Sequence, residues 1–409
     1  MFKSLPPLPL PVPFMCSDEG SFAETTLLVR LPEIARRVIL ENKLPAAANQ
    51  AVEALITDMP DGRMRPLQDP LAPDLHLWQA YLQPHLGKSW RQLSFLECEN
   101  VFYRRVLEAT GYFGDGPSKG LDPYGYQKQL GLTTSRHGFH SLAARLDTWR
   151  AAGFDPAEAL SEAIQTNLWG NRADLSLWPA DAESTLPNTH LHQPAEFMLT
   201  NQIPEVVDTL LNISSRPRRV DFLVDNAGYE VVCDLALADL LLSRGLVDAV
   251  HFHLKAHPTF VSDALAADVQ QSADFLANEA DPATSAFGKR LQHSLQTGQM
   301  VLQEEFFWNS PLPTWEMPLA IFNDLAQAAL VFSKGDANYR RLIGDLRWVE
   351  TTPFSSITAY FPTRLAALRT AKSQVISGLV EGQLERLAQA DPGWRTNGKW
   401  GLVQVNAAR

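Results

Sequence analysis

The chain has 409 residues, of which 45% are hydrophobic and 20% charged, with three cysteines and a formal net charge of −11. That length exceeds what one ordinary core serves and predicts two domains, or one large α/β domain with a helical addition. The acidic balance excludes nonspecific affinity for nucleic acid or anionic membranes, so an anionic substrate would need a local cluster of positive charge.

Cys16, Cys98 and Cys233 are too few and too scattered for a disulfide framework or a cysteine zinc site. They predict a reducing, cytoplasmic setting. The N-terminal stretch MFKSLPPLPLPVPF carries five prolines between Pro6 and Pro13, which prevent the helix a signal peptide requires. Residues 1–20 are expected as an extended proline-rich arm. No apolar run approaches the roughly 18 to 20 residues of a membrane helix, and no membrane partner is expected.

From residue 21 to 184 the pattern is helical. PEIARRVILEN, SWRQLSFLECENVFYRRVLEATGYF and GFHSLAARLDTWRAAG repeat apolar residues at spacings of three and four. From 185 to 409 short runs of valine, leucine and phenylalanine alternate with amphipathic stretches, as in a parallel sheet with crossover helices. Val220 to Val224 is a predicted strand, YEVVCDLALADLLLSRG a helix ending at Gly245, and Val247 to Lys255 the next strand. Such a unit joins parallel neighbours by a right-handed crossover. Ala329 to Ser333, Arg364 to Thr370 and Trp400 to Val405 are three further predicted strands, the second of which has a period that would suit a helix as well.

Asp225 and Asn226 follow the first of these strands, and Asp263 follows the short apolar piece after the second. KGDANYRR, Lys334 to Arg341, follows the third, and RTAK, Arg369 to Lys372, closes the fourth. In an open parallel sheet the carboxyl ends of the strands face one side, where ligands bind. Two carboxylates and an amide oxygen suit a hard divalent cation, and lysine with arginine suits an anion. That combination stabilises charge on a transferring phosphoryl group. Taken singly, DNAG is an ordinary turn, Asp263 a helix cap and the basic stretches solvated faces. Their coincidence on one rim carries the reading.

Other candidates are weaker. His190 with His192, and His251 with His253, have the i, i+2 spacing that points two rings to one face of a strand, but no acidic partner of evident spacing accompanies them, and structural roles are expected. Cys233 is expected to pack in a core. No nucleophile elbow, HExxH, phosphate-loop or dinucleotide fingerprint is present.

FLVDNAGYEVVCDLALADLLL, LWGNRADLSL, KGDANYRRLIGD and RTAK together resemble the damage-control phosphatase family, in its branch of metal-dependent sugar-phosphate phosphatases with an R-T-x-K motif. That branch has also been described as protein-glutamate (acidic residue) methyltransferases. The resemblance implies a helical N-terminal region packed on a three-layer α/β/α sandwich with a mostly parallel sheet. It implies that Asp225, Asn226 and Asp263 bind the metal, Mn²⁺ foremost, with Co²⁺, Ni²⁺ or Mg²⁺ as substitutes. Asp225 would be the catalytic group, acting as base or nucleophile. Asp336, Asn338, Tyr339 and Arg340 would contact substrate together with Asp225 and Asn226, and Lys372 would hold its phosphate. Lys334, Asn171 and Asp174 are further candidates near the crevice, while Glu97 and Arg104 are structural candidates.

The expected activity is hydrolysis of small sugar phosphates such as fructose 1-phosphate and fructose 6-phosphate. The competing reading is S-adenosylmethionine-dependent methylation of protein glutamate, which needs neither a carboxylate metal set nor a phosphate-binding lysine. A silent sugar-phosphate binding module is the third. The expected partner is a small phosphorylated metabolite, and the sequence does not fix the oligomeric state.

Overall fold

The computed structural model describes residues 5–175, 195–214 and 217–406. His190 and His192 lie outside the described residues, as do the side chains of Asn171 and Asp174.

Seven strands form one sheet: β1 (Met198–Asn201), β2 (Arg219–Leu223), β3 (Ala249–Lys255), β4 (Met300–Glu305), β5 (Leu330–Lys334), β6 (Leu365–Thr370) and β7 (Gly401–Val405). Their order is β1-β7-β6-β5-β2-β3-β4. Every neighbouring pair is parallel except β6 with β7. The α/β class and mostly parallel sheet expected from the sequence are present. All five predicted strands appear, including Leu365–Thr370, where burial on both faces decides for a strand. Strands β1 and β4 add to them at the two edges.

Alternation along the strands builds the layers. Val220, Phe222, Phe332, Ala366 and Leu368 enter one apolar cluster, and Leu223, Val331, Leu365, Ala367 and Leu402 enter another on the opposite face. The first face is covered by α5 (Arg136–Arg150), α6 (Pro156–Leu175) and α8 (Tyr229–Ser243), which share its cluster. Helix α8 is buried at every position from Tyr229 to Leu241, which is why its sequence is almost wholly apolar. Cys233, as expected, packs in this core, where Gly170 of α6 allows a close approach to its sulfur.

A third cluster belongs to the N-terminal helices α1 (Leu31–Glu41), α2 (Ala46–Asp58) and α3 (Phe95–Thr110), and it takes in Val261 from the loop after β3. Among the described residues, 12–16 of the proline-rich stretch run along the body and pair with it. Phe14 accepts a backbone bond from Phe95 at 2.8 Å, Val12 accepts one from Arg347 at 2.9 Å, and Cys16 donates to Leu93 at 3.1 Å. Glu97 closes a capping box with Ser94 at the start of α3, and Arg104 is ion-paired with Asp69 and Asp74, so both have the structural roles expected of them. We keep the division at residue 184 as a proposal from sequence texture; in packing, α5 and α6 before it share the sheet's cluster. No described helix is long and apolar enough to cross a membrane.

Candidate active site

The stretch after β2 explains itself once its neighbour is in place. Ala227 donates its backbone N–H to Ser262 at 2.7 Å, and Ala264 donates to Asp225 at 2.8 Å. Asn226 and Asp263 pair as an isolated antiparallel bridge. Two loops from adjacent parallel strands are thus laced together, and Asp263 becomes a neighbour of the consecutive pair Asp225 and Asn226. Gly228, at φ 75° and ψ −135°, supplies a conformation open essentially only to glycine before α8 begins.

The partner loop is strained. Phe260 and Val261 have φ of 45° and 68°, and Ser262 donates to the Phe260 carbonyl at 2.8 Å across Val261, a γ-turn of the rare type. A branched residue there costs on the order of 1–3 kcal/mol. Packing from the N-terminal helices offsets it: Val261 is buried in their cluster, and Phe260 lies against Tyr103 with ring centroids 4.8 Å apart. The helical region therefore holds Asp263 in place.

Asp225, Asn226, Asp263, Asp336, Arg340 and Lys372 line a single cavity of about 190 Å³. Asp225 and Asp263 are 4% and 1% exposed. Burial, then the charges of Glu230 and Asp263, push the Asp225 carboxyl well above its ordinary range, against the pull of Lys255 and Lys372. Burial also raises Asp263, although the Lys255 ammonium stands 3.2 Å from its Oδ2. Two buried carboxylates raised together signal a shortage of positive charge, which a divalent cation would relieve. Asn226 is oriented by giving Nδ2 to Asp225 and Glu230, each at 2.7 Å, while its Oδ1 accepts from Ser262 at 2.5 Å. This all-oxygen set fits a hard cation.

Asp336 and the RTAK turn form one unit. Asp336 Oδ1 accepts from Arg369 Nε at 2.7 Å, from the Lys372 backbone N–H at 3.2 Å and from Ser373 Oγ at 3.0 Å. Arg369 also donates to the Val375 and Ser373 carbonyls at 2.7 and 3.1 Å. Burial tends to raise Asp336, but Arg369, then Arg340, with the bonds from Ser373 and Arg369, hold it below its ordinary range. The arginine and the aspartate thus fix the turn from which Lys372 enters the cavity. Gly335 opens helix α11 (Gly335–Leu342) at φ 78°, and a Cβ there would stand 1.8 Å from Asp225 Oδ2.

Four expected residues are placed differently. Lys334, expected as a further phosphate ligand, is buried behind the cavity with its ammonium 2.8 Å from Asp234 and 3.2 Å from Glu230. Asn338 donates to the carbonyls of Leu223, Val224 and Lys334, tying strand ends together. Tyr339 bonds Ser377 and Gln404 on the far face. Arg340 reaches the cavity, but three of its N–H groups are taken by Asp345, at 3.0 and 2.8 Å, and Glu99, at 2.5 Å. All three of Lys334, Asn338 and Tyr339 are better described as positioning residues.

Residues that the sequence reading missed include Glu230 and Lys255. The available signal was an acid in the first turn of a largely apolar helix and a lysine closing an apolar strand. Arg30, Glu99, Tyr103 and Lys128, which bring the N-terminal helices to the cavity wall, left no local signal. His253 does have an acidic partner: its Nε2 is 2.9 Å from Asp221, and with Asp324 these groups could crowd around an ion. Arg219 already occupies that cluster, bonded to Asp221 at 2.7 and 2.6 Å and to Asp324 at 2.9 Å, so its charge is met by protein.

A family model of the damage-control phosphatase ARMT1-like domain matches residues 26–387. The chain belongs to that family. Its similarity to relatives named damage-control phosphatase ARMT1 runs nearly end to end: 30% identity with the human protein over 97% of this chain and 99% of that one, and 31% with the Xenopus tropicalis protein over 95% and 97%. A crystal structure of a DUF89 family protein from Pyrococcus horikoshii shares the fold, with a TM-score of 0.50 over 93% of this chain and 98% of that one, at 12% identity. Membership of the ARMT1-like family makes the chain one of the metabolite-repair phosphatases by descent. Within this ARMT1-like chain, the motifs at Asp225, Asp336 and Lys372 are those that meet in the cavity.

Proposed function

We propose that this chain is a metal-dependent phosphatase of small sugar phosphates, with fructose 1-phosphate and fructose 6-phosphate as its substrates. The observation that carries the reading is the convergence in one buried cavity of a carboxylate–amide set, Asp225, Asn226 and Asp263, with the Lys372 ammonium. A divalent ion held by those three residues, Mn²⁺ first and Co²⁺, Ni²⁺ or Mg²⁺ as substitutes, would polarise a phosphoryl oxygen and lower the pKa of a bound water.

The protein's own part follows from its residues. Lys372 binds the substrate phosphate as a point charge, and the Asp336–Arg369 clamp fixes where it does so. Arg340 adds positive field at the wall while orienting Glu99. Asp225 takes the proton of the attacking water and returns it to the departing sugar oxygen, or attacks phosphorus itself to form an aspartyl phosphate that a water then hydrolyses to free phosphate, the sugar oxygen taking its proton from solvent; either way the sugar leaves as its alcohol. The N-terminal helices, a helical cap over the rim of the sheet, form one wall of the cavity, and the burial of Asp225 and Asp263 there strengthens each of these interactions. We place this chemistry in the cytoplasm, in keeping with the free thiols of Cys16, Cys98 and Cys233.

The test is phosphate release from fructose 1-phosphate by metal-stripped protein, alone and with each metal added in turn. Release is expected only with metal, and Asp225→Ala is expected to abolish it with the melting transition retained. Turnover by the stripped protein, or substantial metal-dependent turnover by Asp225→Ala, would overturn the assignment.

A further inference from the structure

Between a short opening helix and α1, residues Thr26–Arg30 form a π-helical turn. Such wide turns inside α-helices are frequent at functional sites. This one ends on Arg30, which lines the cavity beside Phe22, Ile34 and Tyr103. The Arg30 guanidinium lies 5.1 Å from the centroid of the Phe22 ring, a cation–π contact made on the cavity wall.

The charges on the wall are otherwise matched. Lys128 answers Asp122 at 2.9 Å and Asp268 at 2.7 Å, and Arg340 answers Asp345 and Glu99. Lys372 acts on Asp225. Arg30 has no ion pair among the described residues, and the nearby acid that feels its charge, Glu99, is already bonded to Arg340. A half-buried guanidinium on a cavity wall that has a ring contact but no ion pair among the described residues can take a ligand's anion without breaking a protein salt bridge.

We infer that Arg30 is a specificity residue that binds a second acidic group, a carboxylate or a second phosphate, carried by the substrate beyond its scissile ester. The inference rests on the phosphatase reading above and adds to it a preference, among small sugar phosphates, for those that carry a second acid, since the planar fork of a guanidinium matches either group. The position belongs to the helical cap, so the sheet supplies the reaction and the cap reads the substrate.

The experiment compares kcat/KM for fructose 1,6-bisphosphate with that for fructose 1-phosphate in Mn²⁺-loaded full-length wild type, Arg30→Gln and Arg30→Lys. The wild-type ratio is expected to favour the bisphosphate by about tenfold or more, as one charge-assisted contact allows. Arg30→Gln should bring the ratio near one through KM, and Arg30→Lys should restore much of it. A ratio in Arg30→Gln equal to that of wild type overturns the inference and leaves the phosphatase reading standing. If wild type hydrolyses neither ester, the phosphatase reading fails, and calorimetric binding of the two esters decides Arg30. Tighter bisphosphate binding that Arg30→Gln loses supports the inference, and equal binding by both proteins overturns it.

Discussion

Lys334 illustrates how a motif residue can be indispensable without touching substrate. Its ammonium sits between Asp234 and Glu230, 0% and 1% exposed at the side chain, and also donates to the Asn167 carbonyl at 3.3 Å. Burial lowers the lysine's pKa, and the two acids more than reverse that, so the charged form is held. Glu230 in turn anchors the Asn226 amide, which makes Lys334 the back of the Asp225–Asn226–Asp263 set. Removing the ammonium would strand two buried carboxylates, a loss of about 3–5 kcal/mol for a broken buried pair. Lys334→Met is therefore expected to lower the denaturation midpoint steeply by circular dichroism. A variant that melts like wild type and shows only a raised KM would return Lys334 to the role of phosphate ligand.

At the level of elements, the site is made where strands stop. Helix α11 starts on a glycine because Asp225 fills the space a side chain would need, and Gly335 has the left-handed φ of 78°. Gly335→Ala is expected to displace the Asp225 carboxylate, cut kcat/KM by at least about a hundredfold, and lower stability by roughly 1–2 kcal/mol for the backbone alone. Kinetics close to wild type would show that the loop yields without moving the carboxylate. This geometry was partly legible in the sequence, since continuous apolar runs ending in DNAG, KGD and RTAK marked both the strands and the rim. Strand β1, with four residues, and β4, half-exposed and ending in Glu304 and Glu305, were not legible, because edge strands lack the doubly buried signature. The antiparallel turn-back of β7 and the arrival of Arg30 and Glu99 at the cavity were invisible for another reason: they are tertiary contacts with no local periodicity.

Across the whole molecule, the helical cap is fastened to the sheet by buried charges, and two of them give stability opposite dependences on pH. Asp74, in the cap, meets Arg104 at 2.9 Å and His257, beyond β3, at 3.3 Å. Burial raises Asp74, but His257 and Arg104 outweigh it and bring its pKa to about 2. A folded value below the unfolded one adds stability that is present above the unfolded pKa near 4 and is lost as pH falls through 2. Asp234 has the opposite sign. Burial raises it first and Glu230 adds to that, against Lys334, to about 6, so its contribution is complete below about pH 4 and is lost as pH rises through 6. At about 1.4 kcal/mol per pKa unit, each contribution is of the order of 2–3 kcal/mol. The melting temperature of metal-free protein is expected to rise from pH 7.5 to a maximum near pH 4 to 5 and then to collapse toward pH 2. Asp234→Asn should make the neutral limb shallower without abolishing it, because Asp225 and Asp263 are raised as well, and Asp74→Asn should lower the maximum and blunt the acid limb. A melting temperature that falls steadily from pH 7.5 downward would mean that Asp234 is not the buried, raised acid that ties α8 to the end of β5, and that the back of the Asp225–Asn226–Asp263 set is organised differently.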